Sequence, residues 1–241
     1  MRANRGVRLL GVRSVRCDVL ERLNRFTVRV VAPDGESLAH LNNTGRLLEY
    51  LDGRSAAYCV RRSAPGRTSY RLLAFDDEGG AALVDTLVQM RSLEVALGAG
   101  LLPWAAGCSI SRRSPRLGGS TLDYLMECRS RAHPARVYVE VKSAVMRGPG
   151  GAAMYPDCPT ERGRRQISDM IRSSLRGIRS MIIFVAALPG VTHFSPNASG
   201  DPKIPGLLRR AASAGIEIRA VSMHYDGEHV VLDDPDLPVH V

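Results

Sequence analysis

The residues with the clearest capacity for chemistry lie in the segment 136–142 and shortly before it. Valine alternates with polar residues in that segment, and the two-residue period of a strand places Glu140 and Lys142 on the same face. If the preceding strand pairs with this one, Asp123 approaches Glu140. Two carboxylates, a main-chain carbonyl such as that of Val141, and water can hold Mg²⁺. A lysine beside the cation can orient a water and offset negative charge during phosphodiester hydrolysis.

The same spacing also occurs in a solvated ion pair on an exposed strand, so the pattern alone leaves both interpretations open. The presence of lysine rather than arginine at position 142 favours a role in catalysis over a solvated ion pair. Only Lys142 and Lys203 are lysines, whereas all other basic residues are arginines. A compact ammonium group and a planar guanidinium are not interchangeable at a site. A lysine kept beside Glu140 therefore indicates a specific role.

Two basic segments are candidates for contacts to nucleic-acid phosphates. In the first, Arg162, Arg164 and Arg165 crowd the first turn of a helix that Thr160 is predicted to cap. The helix dipole disfavours cations there, and a bound phosphate would balance them. An exposed basic turn partly compensated by Glu161 is the alternative.

The second segment, 39–46, offers imidazole, amide, hydroxyl and guanidinium groups for contacts to phosphates or bases. Its candidate residues are His40, Asn43, Thr44 and Arg46. The same run is also ordinary turn material. Further arginines extend the predicted nucleic-acid-binding surface: Arg25, Arg61, Arg62 and Arg67.

Composition narrows the class of protein. The 241 residues are 44% apolar and 24% charged, which fits one large or two small globular domains and argues against disorder or a coiled coil. The net charge of +9 favours a polyanionic partner such as nucleic acid. No apolar run approaches the roughly 18–20 residues of a membrane-spanning helix. Arginines interrupt the N-terminal region where a signal peptide would be apolar. We expect a cytoplasmic protein without membrane contact.

Five cysteines are odd in number, widely scattered and never in a C-x-x-C pair. This usage suggests neither a disulfide framework nor a zinc site. We expect reduced cysteines that pack as small apolar residues.

The elements that must position these residues fall into two groups. Strand patterns occur at 25–31, 56–60, 69–75 and 81–84, with a hairpin turn at 33–36. About five short strands suit the small closed barrel called the OB-fold. A predicted helix over 87–97 then leads into a second region.

The second region mixes strands and helices. Strands at 121–127 and 136–142 form a predicted hairpin, and a helix begins after Thr160. A continuous apolar run at 181–188 is typical of a strand buried on both faces. A helix near 205–214 and a strand at 216–221 follow. This order predicts an α/β domain.

With these motifs in place, the chain resembles the sugar fermentation stimulation protein A family over nearly its whole length. The matching segments are 23–26, 39–46, 120–125, 139–142 and 214–216, with 155–157, Thr160, Arg162 and Gly163. The resemblance implies an N-terminal OB-like β-barrel, residues 1–85, and a restriction-endonuclease-like α/β domain of the PD-(D/E)xK superfamily, residues 86–241. It also implies DNA binding and DNA or RNA nuclease activity.

Carried over residue by residue, the resemblance assigns Asp123 as the first metal-binding acid and Glu140 with Lys142 as the E-x-K pair. It suggests Glu94, on the preceding helix, as a further metal ligand. Thr121 stands where the family usually has arginine, and Gln166 where it usually has histidine. These two departures bear on substrate positioning more than on metal binding.

Three functions follow as hypotheses. The first is a nuclease dependent on Mg²⁺ or Mn²⁺ that cleaves DNA, or RNA, with little sequence specificity, since phosphate contacts position rather than specify. The second is a nucleic-acid-binding regulator of sugar metabolism genes on a nuclease scaffold without catalysis. The third is a structural or protein-interaction role. By analogy with this nuclease class, a homodimer is expected.

Overall fold

A computed structural model describes residues 6–63, 66–129 and 135–241. The strands up to the first long helix are β1 (Val7–Gly11), β2 (Val15–Asn24), β3 (Thr27–Ala32), β4 (Gly35–Leu41), β5 (Ser55–Arg61), β6 (Tyr70–Asp77) and β7 (Gly80–Leu83). The later strands are β8 (Cys108–Arg113), β9 (Arg116–Leu117), β10 (Ser120–Thr121), β11 (Tyr124–Cys128), β12 (Ala135–Ala144), β13 (Met146–Arg147), β14 (Ala152–Tyr155), β15 (Ser180–Ala186), β16 (His193–Pro196), β17 (Glu217–Tyr225) and β18 (His229–Asp234). The α-helices are α1 (Leu48–Leu51), α2 (Thr86–Gly98), α3 (Glu161–Ser174) and α4 (Ile204–Ser213).

Strands β2 to β6 close into a five-stranded barrel. β2 pairs with β3 and β5, β3 with β4, and β5 with β6, all antiparallel. A parallel pairing of β4 with β6, from Ala39–Tyr70 to Leu41–Leu72, closes the circle. Inward-facing residues such as Val28 and Val30 are fully buried, as the alternation predicted. The predicted OB-like barrel is confirmed.

The region after the barrel is built around three parallel strands. β15 lies between β12 and β17. Helix α3 precedes β15 in the chain, and α4 connects β15 to β17. All seven residues of β15 are buried, which agrees with the apolar run at 181–188. Antiparallel strands β11 and β8 extend the sheet beyond β12. The predicted restriction-endonuclease-like α/β domain is confirmed.

Both parts share one sheet. β7 pairs with β6 of the barrel and contacts β17 through Ala81 and Tyr225. β1, which precedes the barrel in the chain, pairs with β18, the strand that follows β17 and pairs with it. The division between residues 85 and 86 stays a prediction.

Polar contacts also hold the barrel against the α/β domain. The main-chain amide of Leu47, after β4, donates to Asp157 Oδ2 at 2.9 Å. Arg147 donates to Asp77 Oδ2 at 3.0 Å, and its main-chain amide donates to Glu49. These contacts fix the loop after β4 opposite the segment that leads into α3.

The structure corrects two local predictions. The strand expected over 121–127 is interrupted, because Thr121 belongs to β10, which pairs with β9, and β11 begins only at Tyr124. Asp123 therefore lies just outside the strand. His40, expected in the loop 39–46, is a residue of β4.

The expectation that all five cysteines are reduced is wrong. Disulfides join Cys17 to Cys59 across β2 and β5, and Cys108 to Cys128 across β8 and β11. Cys158 remains a thiol. Each pair brings together cysteines of adjacent antiparallel strands, a proximity that spacing along the chain does not reveal.

No helix within the described ranges combines the length and apolar character needed to cross a membrane.

Asp201 joins the beginnings of α3 and α4. Its side chain is buried, and its carboxylate accepts hydrogen bonds from the main-chain amides of Thr160 at 3.0 Å and Lys203 at 3.1 Å. It also forms an ion pair with Arg164. Burial acts to raise the pKa of this carboxyl, but the two amides and Arg164 outweigh burial and hold the pKa below its ordinary value. The fold thus stabilises the ionised form.

We expect Asp201→Asn to lower the free energy of unfolding by about 2–4 kcal/mol at neutral pH, since it leaves Arg164 without its counter-charge. Because the folded-state pKa is depressed, this stabilisation is present above roughly pH 4 and is lost as the pH falls through the folded-state value. Urea unfolding at neutral pH and near pH 3 measures both effects. Asp52→Asn, at an exposed position, is the control. A pH-independent difference between Asp201→Asn and wild type would contradict this account.

Candidate functional site

A cleft of about 400 Å³ lies between the barrel and the α/β domain. The turn between β2 and β3 and the loop after β4 line one side, through residues such as Arg25 and Thr44. The other side includes Glu140 and Lys142 of β12 and Arg162 of α3. A ligand that fills the cleft therefore touches both parts of the chain.

Asp123 lies at the end of the β11–β12 ladder, directly before Tyr124. The ladder ends at the pair Tyr124–Val139, so the main-chain amide of Val141 lies beyond it. Asp123 Oδ2 accepts a hydrogen bond from this amide at 2.7 Å. Burial raises the pKa of Asp123, against the opposing effects of this hydrogen bond and of Lys142.

Glu140 is a buried carboxylate with only 3% of its surface exposed. Its Oε1 accepts a hydrogen bond from Lys142 Nζ at 2.6 Å. Its Oε2 is also buried and has no hydrogen-bond partner among the described residues. Burial raises the pKa of Glu140 to about 7, with Lys142 opposing the shift and Asp123 adding to it. The ionised carboxylate therefore lacks part of the stabilisation that it would have in water.

Lys142 is fixed from two sides. Besides Glu140, its Nζ donates to Gln166 Oε1 of α3 at 2.8 Å. Gln166 Nε2 in turn donates to the main-chain oxygen of Thr121 at 3.0 Å. Burial acts to lower the pKa of Lys142, but the negative charge of Glu140 outweighs burial and raises it. The lysine therefore stays protonated.

The first turn of α3 lies close to Tyr155, the last residue of β14, at a glycine. Thr160 caps the helix as predicted, its Oγ1 accepting from the amide of Gly163 at 3.1 Å. A Cβ at Gly163 would lie 2.7 Å from the Tyr155 hydroxyl, which is too close for another residue without a shift. Gly163 thus allows α3 to bring Gln166 against Lys142.

The structure brings many of the predicted site residues to this cleft. They are Arg25, Asn43, Thr44, Asp123, Glu140, Val141, Lys142 and Arg162. Asn43 is itself buried, donates to the main-chain oxygen of Val84 at 3.1 Å and accepts from the amide of Gly45 at 2.9 Å. Its side chain therefore shapes the loop rather than presenting free groups.

The remaining predicted residues do not line the cleft. Glu94 forms an ion pair with Arg113 and accepts a hydrogen bond from the Tyr124 hydroxyl, so its carboxylate is engaged elsewhere. Arg164 pairs with Asp201. Two other arginines have partners on the barrel, since Arg61 pairs with Asp34 and Arg62 donates to Thr68. His40 stacks near Phe26, and Arg46 lines an adjacent small cavity. Arg67 and Arg165 are exposed.

The chemistry of the donor atoms fits a divalent cation. The described residues contain no group of three or more His, Cys, Asp or Glu side chains that could hold a metal ion. A cation beside Lys142 would rely on Asp123 and Glu140, with a main-chain oxygen such as that of Val141 and water. Hard oxygen ligands of this kind suit Mg²⁺, Mn²⁺ or Ca²⁺. Such a cation would satisfy Oε2 of Glu140, the atom that finds no partner among the residues that the structure describes.

Gln166 is the contact residue that the sequence interpretation missed. In the sequence Gln166 stands out only as a departure from a family pattern, whereas in the structure its side chain bridges Lys142 and Thr121. A signal was present, because Gln166 precedes Ile167 and Met170 within the buried face of α3. A polar residue in such a stripe is normally hydrogen-bonded inside the protein.

We expect Gln166→Ala to lower the free energy of unfolding by about 1–3 kcal/mol, because the largely buried Lys142 Nζ and the main-chain oxygen of Thr121 each lose a partner. Arg165→Ala, one residue earlier and exposed, should change it by less than about 0.5 kcal/mol. Urea unfolding followed by circular dichroism measures both variants. Equal stability of the two would contradict the bridging role.

Comparisons with known proteins cover both parts of the chain. The family model "Sugar fermentation stimulation protein RE domain" matches residues 87–229. A second model, "SfsA N-terminal OB domain", matches residues 20–84.

Full-length relatives have similar sequences. The chain is 42% identical to a sugar fermentation stimulation protein homolog of Pyrococcus furiosus, over 93% of this chain and 95% of the relative. It is 39% identical to the homolog of Archaeoglobus fulgidus, over 94% and 95% of the two chains. A solved structure described as "The structure of Pyrococcus Furiosus SfsA in complex with Ca2+" covers 98% of this chain and 100% of that chain, with 42% identity and a TM-score of 0.91.

Proposed function

The chain belongs to the sugar fermentation stimulation protein family, and from that premise we propose that it is a nuclease that uses a divalent cation to hydrolyse phosphodiester bonds of DNA or RNA with little sequence specificity. One observation carries the proposal. In the cleft, one buried oxygen of Glu140 has no hydrogen-bond partner within the described part of the chain, and this carboxylate lies next to Asp123 and to a lysine fixed in place.

Asp123, Glu140 and the main-chain oxygen of Val141 would hold the cation, which we propose to be Mg²⁺ or Mn²⁺. The Ca²⁺ complex described for the relative of 42% identity supports a divalent cation in this family. When bound, such a cation lowers the pKa of a coordinated water and offsets charge on the phosphate.

Lys142 has the role of positioning charge at the reacting phosphate. Its ammonium group is held by Glu140 and Gln166, so little reorganisation is needed when negative charge develops on the substrate. An ammonium group has three protons, and a water or a phosphate oxygen can accept the third.

Arg25, Thr44 and Arg162 supply contacts to the nucleic-acid backbone from opposite sides of the cleft. Such contacts hold a substrate in register without reading its bases, which is the reason to expect little sequence specificity. We propose that residues 1–85 serve mainly in binding and residues 86–241 in catalysis. The homodimer and the cytoplasmic location stay predictions.

The decisive experiment incubates end-labelled single-stranded and duplex DNA with the protein in Mg²⁺, in Mn²⁺ or in EDTA. Wild type should cleave only with a cation. Glu140→Gln and Lys142→Ala should each lower the rate by about 10²–10³-fold, because the first loses a carboxylate that would hold the cation and the second loses the positive charge at the reacting phosphate. Glu228→Gln, at a strongly exposed side chain, is the matched control and should cleave like wild type.

Other outcomes would point to the alternative functions. Salt-sensitive binding without cleavage, equal in wild type and Glu140→Gln, would overturn the nuclease proposal and indicate a non-catalytic regulator. Binding that is unaffected by salt would argue against phosphate contacts and for a protein-interaction role.

Arg162→Ala should weaken binding of single-stranded and duplex DNA alike and reduce the slope of log affinity against log salt by about one, since one phosphate contact is lost. Fluorescence anisotropy in EDTA over a salt series measures the slope without cleavage. Arg209→Ala, exposed on α4, is the control with the same change of charge. Equal slopes for the two variants would exclude Arg162 from the phosphate-binding surface.

A further inference from the structure

Phe26 is the exception among the four phenylalanines of the chain. Phe75, Phe184 and Phe194 are fully buried, whereas Phe26 is 46% exposed. It lies in the turn between β2 and β3 and lines the same cleft as Glu140 and Lys142. An aromatic ring on the wall of a polar cleft offers a flat face on which a ligand can stack.

The turn that carries Phe26 is held rigidly. The main-chain amide of Phe26 donates to Asn24 Oδ1 at 2.9 Å, and the main-chain oxygen of Phe26 accepts from the amide of Leu41 at 2.9 Å. The guanidinium of Arg22 donates to main-chain oxygens of both this turn and the loop after β4, at 2.9 Å to Arg25 and 2.6 Å to Gly45. The ring is therefore presented on a fixed backbone.

Two neighbours already stack on or beside the ring. The imidazole of His40 lies 6.3 Å away between centroids and is inclined by 22°. The guanidinium of Arg25 lies 5.6 Å from the ring centroid. Flat π-systems and guanidinium groups gathered in this way form a platform on which a nucleic-acid base can stack.

Building on the nuclease function proposed above, we infer that Phe26 stacks on an unpaired base and makes single-stranded nucleic acid the preferred substrate of this cleft. In a duplex, each base already stacks on its neighbours within the strand, so a fixed ring beside the helix finds no free face. In a single strand, a base can turn out of the stack onto Phe26 while Arg25 and Arg162 contact the backbone.

The test uses fluorescein-labelled oligothymidine and a blunt-ended duplex, with binding measured by anisotropy in EDTA. Phe26→Ala and Phe26→Leu should weaken binding of oligothymidine by about 5- to 100-fold, since both lose the π-face. Phe26→Trp should retain the affinity. Binding of the duplex should not change. The salt dependence should stay as in wild type, because the ring carries no charge.

Each result bears on a definite claim. If wild type binds neither probe, the proposed function fails and this inference fails with it. If wild type binds both probes and Phe26→Leu binds oligothymidine as wild type does, or if duplex binding falls in parallel, only the stacking inference is overturned. Thermal unfolding of each variant shows whether the fold is intact, which the exposure of Phe26 leads us to expect.

Discussion

The arrangement of the cleft depends on a largely buried ion pair between a carboxylate and an ammonium group. Glu140 and Lys142 are adjacent on one face of β12, and taking two charges out of water is costly unless each finds compensating partners. Lys142 has its partners in Glu140 and Gln166, whereas across residues 6–63, 66–129 and 135–241 only one of the two oxygens of Glu140 has a hydrogen-bond partner. Helix α3, the end of the β11–β12 ladder and Asp123 are all placed around this unequal pair. The buried charge that costs most to keep out of water is therefore also the one with incomplete hydrogen bonding among the described residues.

The parts of this arrangement that depend on local patterns were predictable. Alternation along β12 put Glu140 and Lys142 on one face, and Thr160 was correctly identified as the cap of α3. The continuous apolar run was correctly assigned to a strand buried on both faces. These features follow from the period of a strand, from helix capping and from apolar clustering, which a single segment carries by itself.

The parts that depend on contacts between distant segments were not predictable. In the sequence Arg164 and Arg162 are equivalent candidates. In the structure Arg164 pairs with Asp201, far along the chain, whereas Arg162 lines the cleft. Glu94 has the right chemistry on the right helix, yet its carboxylate is turned to Arg113 and Tyr124. The cysteine pairs likewise become neighbours only through strand pairing. Residue type limits what a side chain can do, whereas the partner across the fold decides which of those options is used.

The pairing of β1 with β18 has a consequence for how the protein is made. These two strands are separated by almost all of the described chain, so the edge of the α/β sheet is completed only after β18 has been synthesised. The barrel strands β2 to β6 follow one another closely and can associate much earlier on the ribosome. Until β18 has been made, the edge of β1 that pairs with it has no partner strand, and such an edge can associate with other chains. The last strand of the sheet therefore completes the fold and covers the edge of β1 that pairs in the finished protein.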